Sequence, residues 1–389
     1  MKLLLYTYPD CPYLDLYNAL ISMGYCVDTL PVTLAELNEN PERVMTETKR
    51  FMNLGSYDAV VSFLFLPQIS DIAEAFSIPY ISWVYDSPSY TLLSNAVYNS
   101  CNYIFVFDRN QQLHLQEKNI ANVYHLPLAV DTARLIRQLG DSPWLHDSSF
   151  TASFVGTLYT DENYNLSAVL PDYYKGYVEG LLHSQQIIYG DNFIYDLVSP
   201  ELAEIMKRYI PVSQGENVNI SRQTIYADFL SKELTKRDRI YLLNSLCRHM
   251  DVDLFSASDP AVVPAVNYHG YVDYVSEMPV VFATSKINLN FTLRSITSGI
   301  PLRALDIMGA GGFLLSNYQP ELAEYFIDGE ECVLFSSEQD LIDKASYYLH
   351  HDAERMQIAQ RGCRKIRQEF SYEAQIRKMF QLVGLTRQP

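Results

Sequence analysis

Arg303 and Asp306 stand three residues apart in GIPLRALDIMGAGGFLLS (residues 299–316), a run that otherwise reads as a buried helix followed by a buried strand. A charge in an apolar helix is unfavourable unless it meets a partner or a ligand. At this spacing the two side chains share one helix face, while Leu302, Leu305 and Met308 fall where a sheet would pack. One use is ligand chemistry. A carboxylate such as Asp306 accepts two hydrogen bonds from the vicinal diol of a ribose, and Arg303 serves a diphosphate or orients Asp306. The other use is a plain ion pair on a helix. The glycines are equally two-sided: Gly309-Ala-Gly-Gly lets a ligand approach the backbone, or it ends the helix.

The preceding stretch, INLNFTLRSITSGIP, predicts a strand over 287–291, a loop to Ser298 and a helix with Pro301 in its first turn. In open parallel sheets ligands bind beyond the carboxyl ends of the strands. A loop and helix N-terminus there present unpaired N–H groups and partial positive charge.

The elements that would position this segment recur along the chain. Short apolar runs at 3–6, 25–30, 59–66, 80–85 and 103–107 alternate with helical stretches at about 13–23, 39–52, 69–76 and 111–118, and a segment runs through Tyr98. Such alternation, with continuously apolar strands, marks a doubly wound parallel α/β sheet covered on both faces. The alternation stops near VYHLPLAVDTARL, and the polar GDSPWLHDSSF puts a boundary within 132–150. A strand reopens at ASFVGTLY (152–159). Residues 161–236 are helical and polar, punctuated by Pro171, Pro200 and Pro211, and read as an insertion without chemistry. A helix over RIYLLNSLCRHM follows, then strands at VDLFSAS, YHGYV, INLNF and CVLF, and helices at about 338–350, 353–369 and 372–385. The expected architecture is two Rossmann-like domains facing across a cleft, one over 1–135 and one over 150–370, with the last helix (371–389) packing back on the first.

A chain of 389 residues exceeds one ordinary core. Its net charge of −17 excludes the broad basic face that nucleic acid requires, and simple docking on anionic lipid. A small anionic ligand stays open where helix N-termini and a few cations converge. The six cysteines are scattered, with no CxxC pair and no Cys/His cluster, which fits a reducing compartment and gives no metal signature. MKLLLYTYPDCPY reads as a first strand rather than an export signal. No apolar run reaches the roughly 18–20 residues of a membrane span. A cytoplasmic protein without transmembrane segment, metal or bound cofactor is expected.

The later half resembles a known family. INLN, a loop, PLRALDIMGAGGFLLS and then PELAEYFIDGEECVLF are similar to the C-terminal half of retaining-type glycosyltransferases of the GT-B fold, most of all to the spore-maturation (CgeB-like) glycosyltransferase family. SSEQDLIDKASYYLHHDAERMQIAQRGCRKIRQEFSYEAQI resembles its helical tail. SIPYISWVYDSP, VFDRNQQLHL and HLPLAVD resemble segments of its first half, so the likeness spans about 59–160 and 266–380.

The resemblance implies a donor site for a nucleoside diphosphate-sugar as substrate. Asp306 takes the ribose, where a Glu is usual, and Gly299 and Ile300 offer N–H groups to the diphosphate. Pro301, Leu302 and Arg303 complete that wall; His269, Gly270, Tyr271 and Val272 form the turn that reads the base; Gly156 and Thr157 lie near the phosphates. Ser298 stands where relatives carry a Glu facing the sugar. Thr160-Asp161-Glu162-Asn163 stands where an Arg is common, so the diphosphate charge falls to Arg294, Arg303 or Lys286. Asp86, after the fourth strand, is the expected base or positioning group, with Asp10 a second catalytic candidate; the other reading of Asp86 is a turn or cap residue ahead of Ser-Pro. The implied activity is metal-independent transfer of a hexose-type sugar to a protein or glycan acceptor, and a homodimer is compatible with it. The alternative is a catalytically degenerate GT-B protein that binds a nucleotide sugar or a protein partner.

Overall fold

The computed structural model describes residues 1–7, 13–33, 36, 40–160, 166–212 and 220–385, and Asp10 lies outside them. They form two compact units: Met1–Asp131 with the chain from Glu369 on, and Thr132–Ser213 with Ser221–Gln368.

In the first unit, β1 (Lys2–Thr7), β2 (Cys26–Pro31), β3 (Ala59–Ser62), β4 (Tyr80–Val84), β5 (Asn102–Val106) and β6 (Val123–His125) pair in parallel in the order β2-β1-β3-β4-β5-β6. Successive residues such as Leu3, Leu4 and Leu5 are all inaccessible, as a sheet covered on both faces requires. The edge strand β6 falls where the sequence pattern ends the alternation, because three residues are too few to show a period. The segment through Tyr98 folds as two 3₁₀ turns, Tyr90–Leu93 and Asn95–Tyr98, since Ser94 between them is extended (φ −78°, ψ 158°). The final helix, Tyr372–Val383, belongs to this unit. Val130 N donates to Phe370 O at 3.0 Å, and Tyr25 meets Phe380 edge-on at 5.1 Å.

In the second unit, β7 (Phe150–Val155), β8 (Val252–Phe255), β9 (Asn267–Gly270), β10 (Ser285–Asn290), β11 (Leu314–Asn317) and β12 (Val333–Phe335) are parallel in the order β12-β11-β10-β7-β8-β9. The chain moves outward from β7 to β9, returns to the other flank of β7 as β10, and continues outward to β12. The direction of winding therefore reverses between β7 and β10, where connections leave to opposite sides, the place at which open α/β sheets bind ligands.

Between β7 and β8 lie the helices Asp172–Gln186, Ile194–Leu197, Pro200–Tyr209 and the 25-residue Arg222–Leu246. Val178, Leu182, Ile194, Met206, Leu230 and Leu234 give the first three and the start of the long helix their own core. Leu242, Leu243 and Leu246, further along the same helix, join the core of the sheet. The break expected at residue 236 does not occur: one unbroken helix serves both cores.

The Gly-Ala-Gly-Gly run turns out to be a helix terminus packed against the protein itself. Gly311 adopts φ +77°, its N–H donates to Met308 O at 3.0 Å, and Gly312 N donates to Ile307 O at 2.9 Å. A Cβ on Gly312 would lie 2.6 Å from Asn288 Nδ2, and one on Gly311 2.5 Å from the Pro143 ring. Gly311→Ala is expected to cost about 1–3 kcal/mol, from the left-handed backbone and the clash together. Urea unfolding checks this, and a loss under about 0.5 kcal/mol contradicts the capping role.

Candidate functional site

Gly156 and Thr157 follow β7, and Phe291 follows β10, on either side of the winding reversal. Arg239 of the long helix ties them together. Its Nη1 donates to Thr157 O at 2.7 Å, and its Nε and Nη2 donate to Phe291 O at 3.2 and 2.8 Å. The guanidinium lies over the rings of Phe154 (5.5 Å) and Tyr159 (5.2 Å). Tyr159 holds a left-handed φ of +56°, uncommon for an aromatic residue, with its N–H donating to Thr157 Oγ1 at 3.1 Å. Among the described residues no carboxylate lies within ion-pair distance of Arg239. Burial lowers the pKa of its guanidinium, and the like charge of Arg303 lowers it further. Sequence reading misses Arg239 entirely; the available signal is a cation in KRDRIYLL, one turn before core leucines.

Asp306 is 8% exposed and held from two sides. Arg303 Nη1 donates to its Oδ2 at 3.3 Å, and the Tyr274 hydroxyl donates to its Oδ1 at 3.0 Å. Arg303 also touches Met278 Sδ and lies 5.6 Å from the centre of the Phe282 ring. Tyr274 is placed by a tight turn in which the Asp273 carboxylate accepts from Ser276 Oγ (2.6 Å), Ser276 N (2.7 Å) and Val275 N (3.1 Å). Those hydrogen bonds hold the Asp273 carboxyl below its ordinary range. Arg134 covers the Tyr274 ring at 5.8 Å.

The HGYV turn closes the neighbouring edge. His269 Nε2 lies 2.8 Å from Asp253 Oδ1, and its ring stacks on Phe255 at 4.5 Å. Gly270 has φ +79°, Tyr271 is exposed and Val272 is half-buried. Ser298, Gly299 and Ile300 are buried before the Leu302–Gly309 helix, whose N-cap is Pro301 (φ −65°, ψ 141°) rather than Gly299 or Ile300. Leu302 is half-buried. Ser298 Oγ donates to Glu321 Oε1 at 2.7 Å.

Two expected cations are elsewhere. Arg294 Nε pairs with Asp238 at 2.5 Å, both side chains 7% exposed, while Nη1 and Nη2 donate to Ile188 O (2.7 Å) and Gln186 O (3.1 Å). Its guanidinium also lies 4.2 Å from the centre of the Tyr189 ring. Arg294 thus clamps the loop after β10 to the helical insertion, with its charge neutralised inside the fold. Lys286 is the second residue of β10, about 13 Å along the strand from its carboxyl end. In the first unit, Asp86 is exposed after β4 and precedes a cis Ser87–Pro88 bond. Asp108 caps the Arg109–Glu117 helix through Asn110 N at 3.0 Å. Among the described residues no group of three or more His, Cys, Asp or Glu is arranged to hold a metal ion, and no helix is long and apolar enough to cross a membrane. Asp238→Ala should destabilise the protein by about 3–5 kcal/mol, because Arg294 is left buried and unpaired. Denaturant unfolding measures it, and a loss below about 1 kcal/mol removes the clamp from consideration.

Residues 236–381 match a family described as glycosyl transferase-like. No curated protein matches the sequence. Among solved structures, sucrose-phosphate synthase from Thermosynechococcus elongatus is similar at 12% identity and a TM-score of 0.55, covering 99% of this chain and 98% of that one. Anabaena HepE in complex with UDP-glucose is similar at 10% identity and a TM-score of 0.54, covering 99% and 100%. AviGT4, a glycosyltransferase involved in avilamycin A biosynthesis, is similar at 12% identity and a TM-score of 0.51, covering 99% and 98%. Residues 236–381 are thus glycosyl transferase-like in sequence, and the chain has the two-domain α/β GT-B fold of glycosyltransferases.

Proposed function

We propose that the protein is a hexosyltransferase that moves a sugar from a nucleoside diphosphate donor to a hydroxyl of a protein or glycan acceptor. In the reaction the bond from the sugar C1 to the diphosphate oxygen breaks, its electron pair leaves with the diphosphate, and a bond forms from C1 to the acceptor oxygen. The acceptor proton passes to a base, for which Asp86 and Asp10 are the proposed groups. The observation that carries this reading is Arg239, which joins the chain after β7 to the chain after β10 at the winding reversal, together with the buried Asp306 and its partner Arg303 on the helix that follows β10. Negative charge accumulates on the leaving diphosphate, and fixed guanidiniums stabilise it as it develops. Gly156, Thr157, Gly299 and Ile300 would line the diphosphate, with Pro301 and Leu302 behind. Asp306 would accept from the ribose diol, and His269, Gly270, Tyr271 and Val272 would face the base. Neutralisation by two arginines gives the leaving group its counter-charge without a metal ion, and no bound cofactor takes part.

The HepE structure holds UDP-glucose, which makes UDP the first nucleotide to try. Thermal-shift screening with UDP, GDP, dTDP and their glucose conjugates should reveal one stabilising nucleotide. Arg239→Met should weaken its binding by roughly 10–100-fold, the scale of a lost charge-assisted hydrogen bond. Asp306→Ala should abolish slow donor hydrolysis. Stabilisation by none of the nucleotides, or by one with unchanged affinity in Arg239→Met, rejects the site. Tight binding without turnover on any acceptor leaves the non-catalytic nucleotide-sugar binder instead.

A further inference from the structure

We propose that Tyr159 is a latch over Arg239, which the diphosphate of the donor must displace to reach the guanidinium. The proposal rests on the donor reading above and adds to it the residue that sets how readily the site is entered. Three of the five N–H groups of Arg239 meet the carbonyls of Thr157 and Phe291. An anion is left the other two, and the guanidinium that carries them lies 5.2 Å from the centre of the Tyr159 ring. Phe154, whose ring lies 5.5 Å from the same guanidinium, belongs to the core of the sheet and stacks on Phe291 at 5.3 Å, so it is fixed. Tyr159 is half-buried on the loop after β7, and is the cover that can move.

The covered arrangement is held against two opposing costs. Leu158 is fully buried in the core of the sheet, and its N–H donates to Ser258 Oγ at 2.8 Å. Ser258 Oγ and Thr157 Oγ1 share a hydrogen bond of 3.1 Å, and Thr157 Oγ1 accepts from Tyr159 N at 3.1 Å. With Leu158 anchored in the core, the chain turns back at Tyr159 in the left-handed region, φ +56°. That conformation is unfavourable for any residue with a Cβ, and it persists only where the surroundings impose it. The hydroxyl of the next residue, Thr160, is buried without a hydrogen-bond partner among the described residues, which is the second cost. Against them stands the cation–π contact between the Tyr159 ring and Arg239. One such contact and one left-handed residue are of similar size and opposite sign. The loop is therefore close to balance between closed and open. A diphosphate replaces the face of a ring with a full negative charge on the guanidinium, and the strained turn is released as the ring leaves. A neutral ligand offers no such exchange and leaves the latch closed.

The test is calorimetric titration of wild type, Tyr159→Gly, Tyr159→Ala and Tyr159→Phe with UDP, or with the nucleoside diphosphate that the thermal screen selects. Glycine and alanine remove the ring, and both variants should bind roughly 3–10-fold more tightly than wild type, the gain when the open form is about a tenth to a third of the molecules. Phenylalanine keeps the ring and should bind within about twofold of wild type. In an Arg239→Met background the same Tyr159→Gly change should gain nothing, because the latch then covers no charge. A residue that only supports the loop, or one that contacts the ligand, gives weaker binding when it is removed. Unchanged or weaker binding in the glycine and alanine variants overturns the latch and leaves the donor site standing. So does a phenylalanine variant outside the twofold range, or a gain that survives in Arg239→Met. Binding by none of the four proteins overturns the donor reading itself, and the latch with it. Alanine decides the matter if melting curves show Tyr159→Gly unfolded.

Discussion

The second unit is organised around a single guanidinium. Arg239 satisfies the last carbonyl oxygens at the ends of two strands that the winding order sets side by side, Thr157 on one and Phe291 on the other. Both residues lie beyond the ladder, Thr157 two residues past β7 and Phe291 one past β10. The Phe291 carbonyl is screened from water and must find a donor, and a fork with five N–H groups can serve it and the Thr157 carbonyl at once. The same fork keeps a full positive charge at the mouth of the sheet. Holding the strands in register and presenting a cation are one act of one side chain.

The helical insertion is drawn into this arrangement by its final helix. Asp238 and Arg239 are neighbours in sequence and face opposite tasks. Asp238 neutralises Arg294 and fixes the loop after β10, while Arg239, with no carboxylate within ion-pair distance among the described residues, meets the carbonyls after β7 and β10.

The architecture was legible in the sequence where the physics is local. Parallel strands buried on both faces read as unbroken apolar runs, so the starts of the central strands can be placed within a residue or two, while the runs for β3, β7 and β8 extend three or four residues past the strand ends. The three-residue β6 could not be placed, since it has no room for a period. Helical spacing alone puts Arg303 and Asp306 on one face, and leaves open whether they pair with each other or meet a ligand. The Gly-Ala-Gly-Gly run shows that a glycine needs its neighbours before its purpose is known: the groups that approach it are Asn288 and Pro143 of the same chain. Contacts made across the chain were out of reach. Arg239 meets carbonyls 82 and 52 residues away, and Ser298 finds its acid 23 residues on, separations at which no pattern in one sequence links the partners. Arg294 was misread for the same reason, because its acid and its carbonyl partners arrive from the insertion.

The unbroken helix Arg222–Leu246 has a consequence for how this chain can vary. Insertions in α/β folds usually behave as cassettes, gained or lost at a loop without touching the scaffold. Here the scaffold helix and the added helices are one rod, with Leu230 and Leu234 in one core and Leu242 and Leu246 in the other. Trimming the addition back to a plain connection would shift the rod's pitch or its starting angle, and every degree of rotation is carried to the arginine at its far turn. The insertion is therefore no ornament that descent could discard in isolation: its packing sets the aim of a charge about two turns before the rod's end.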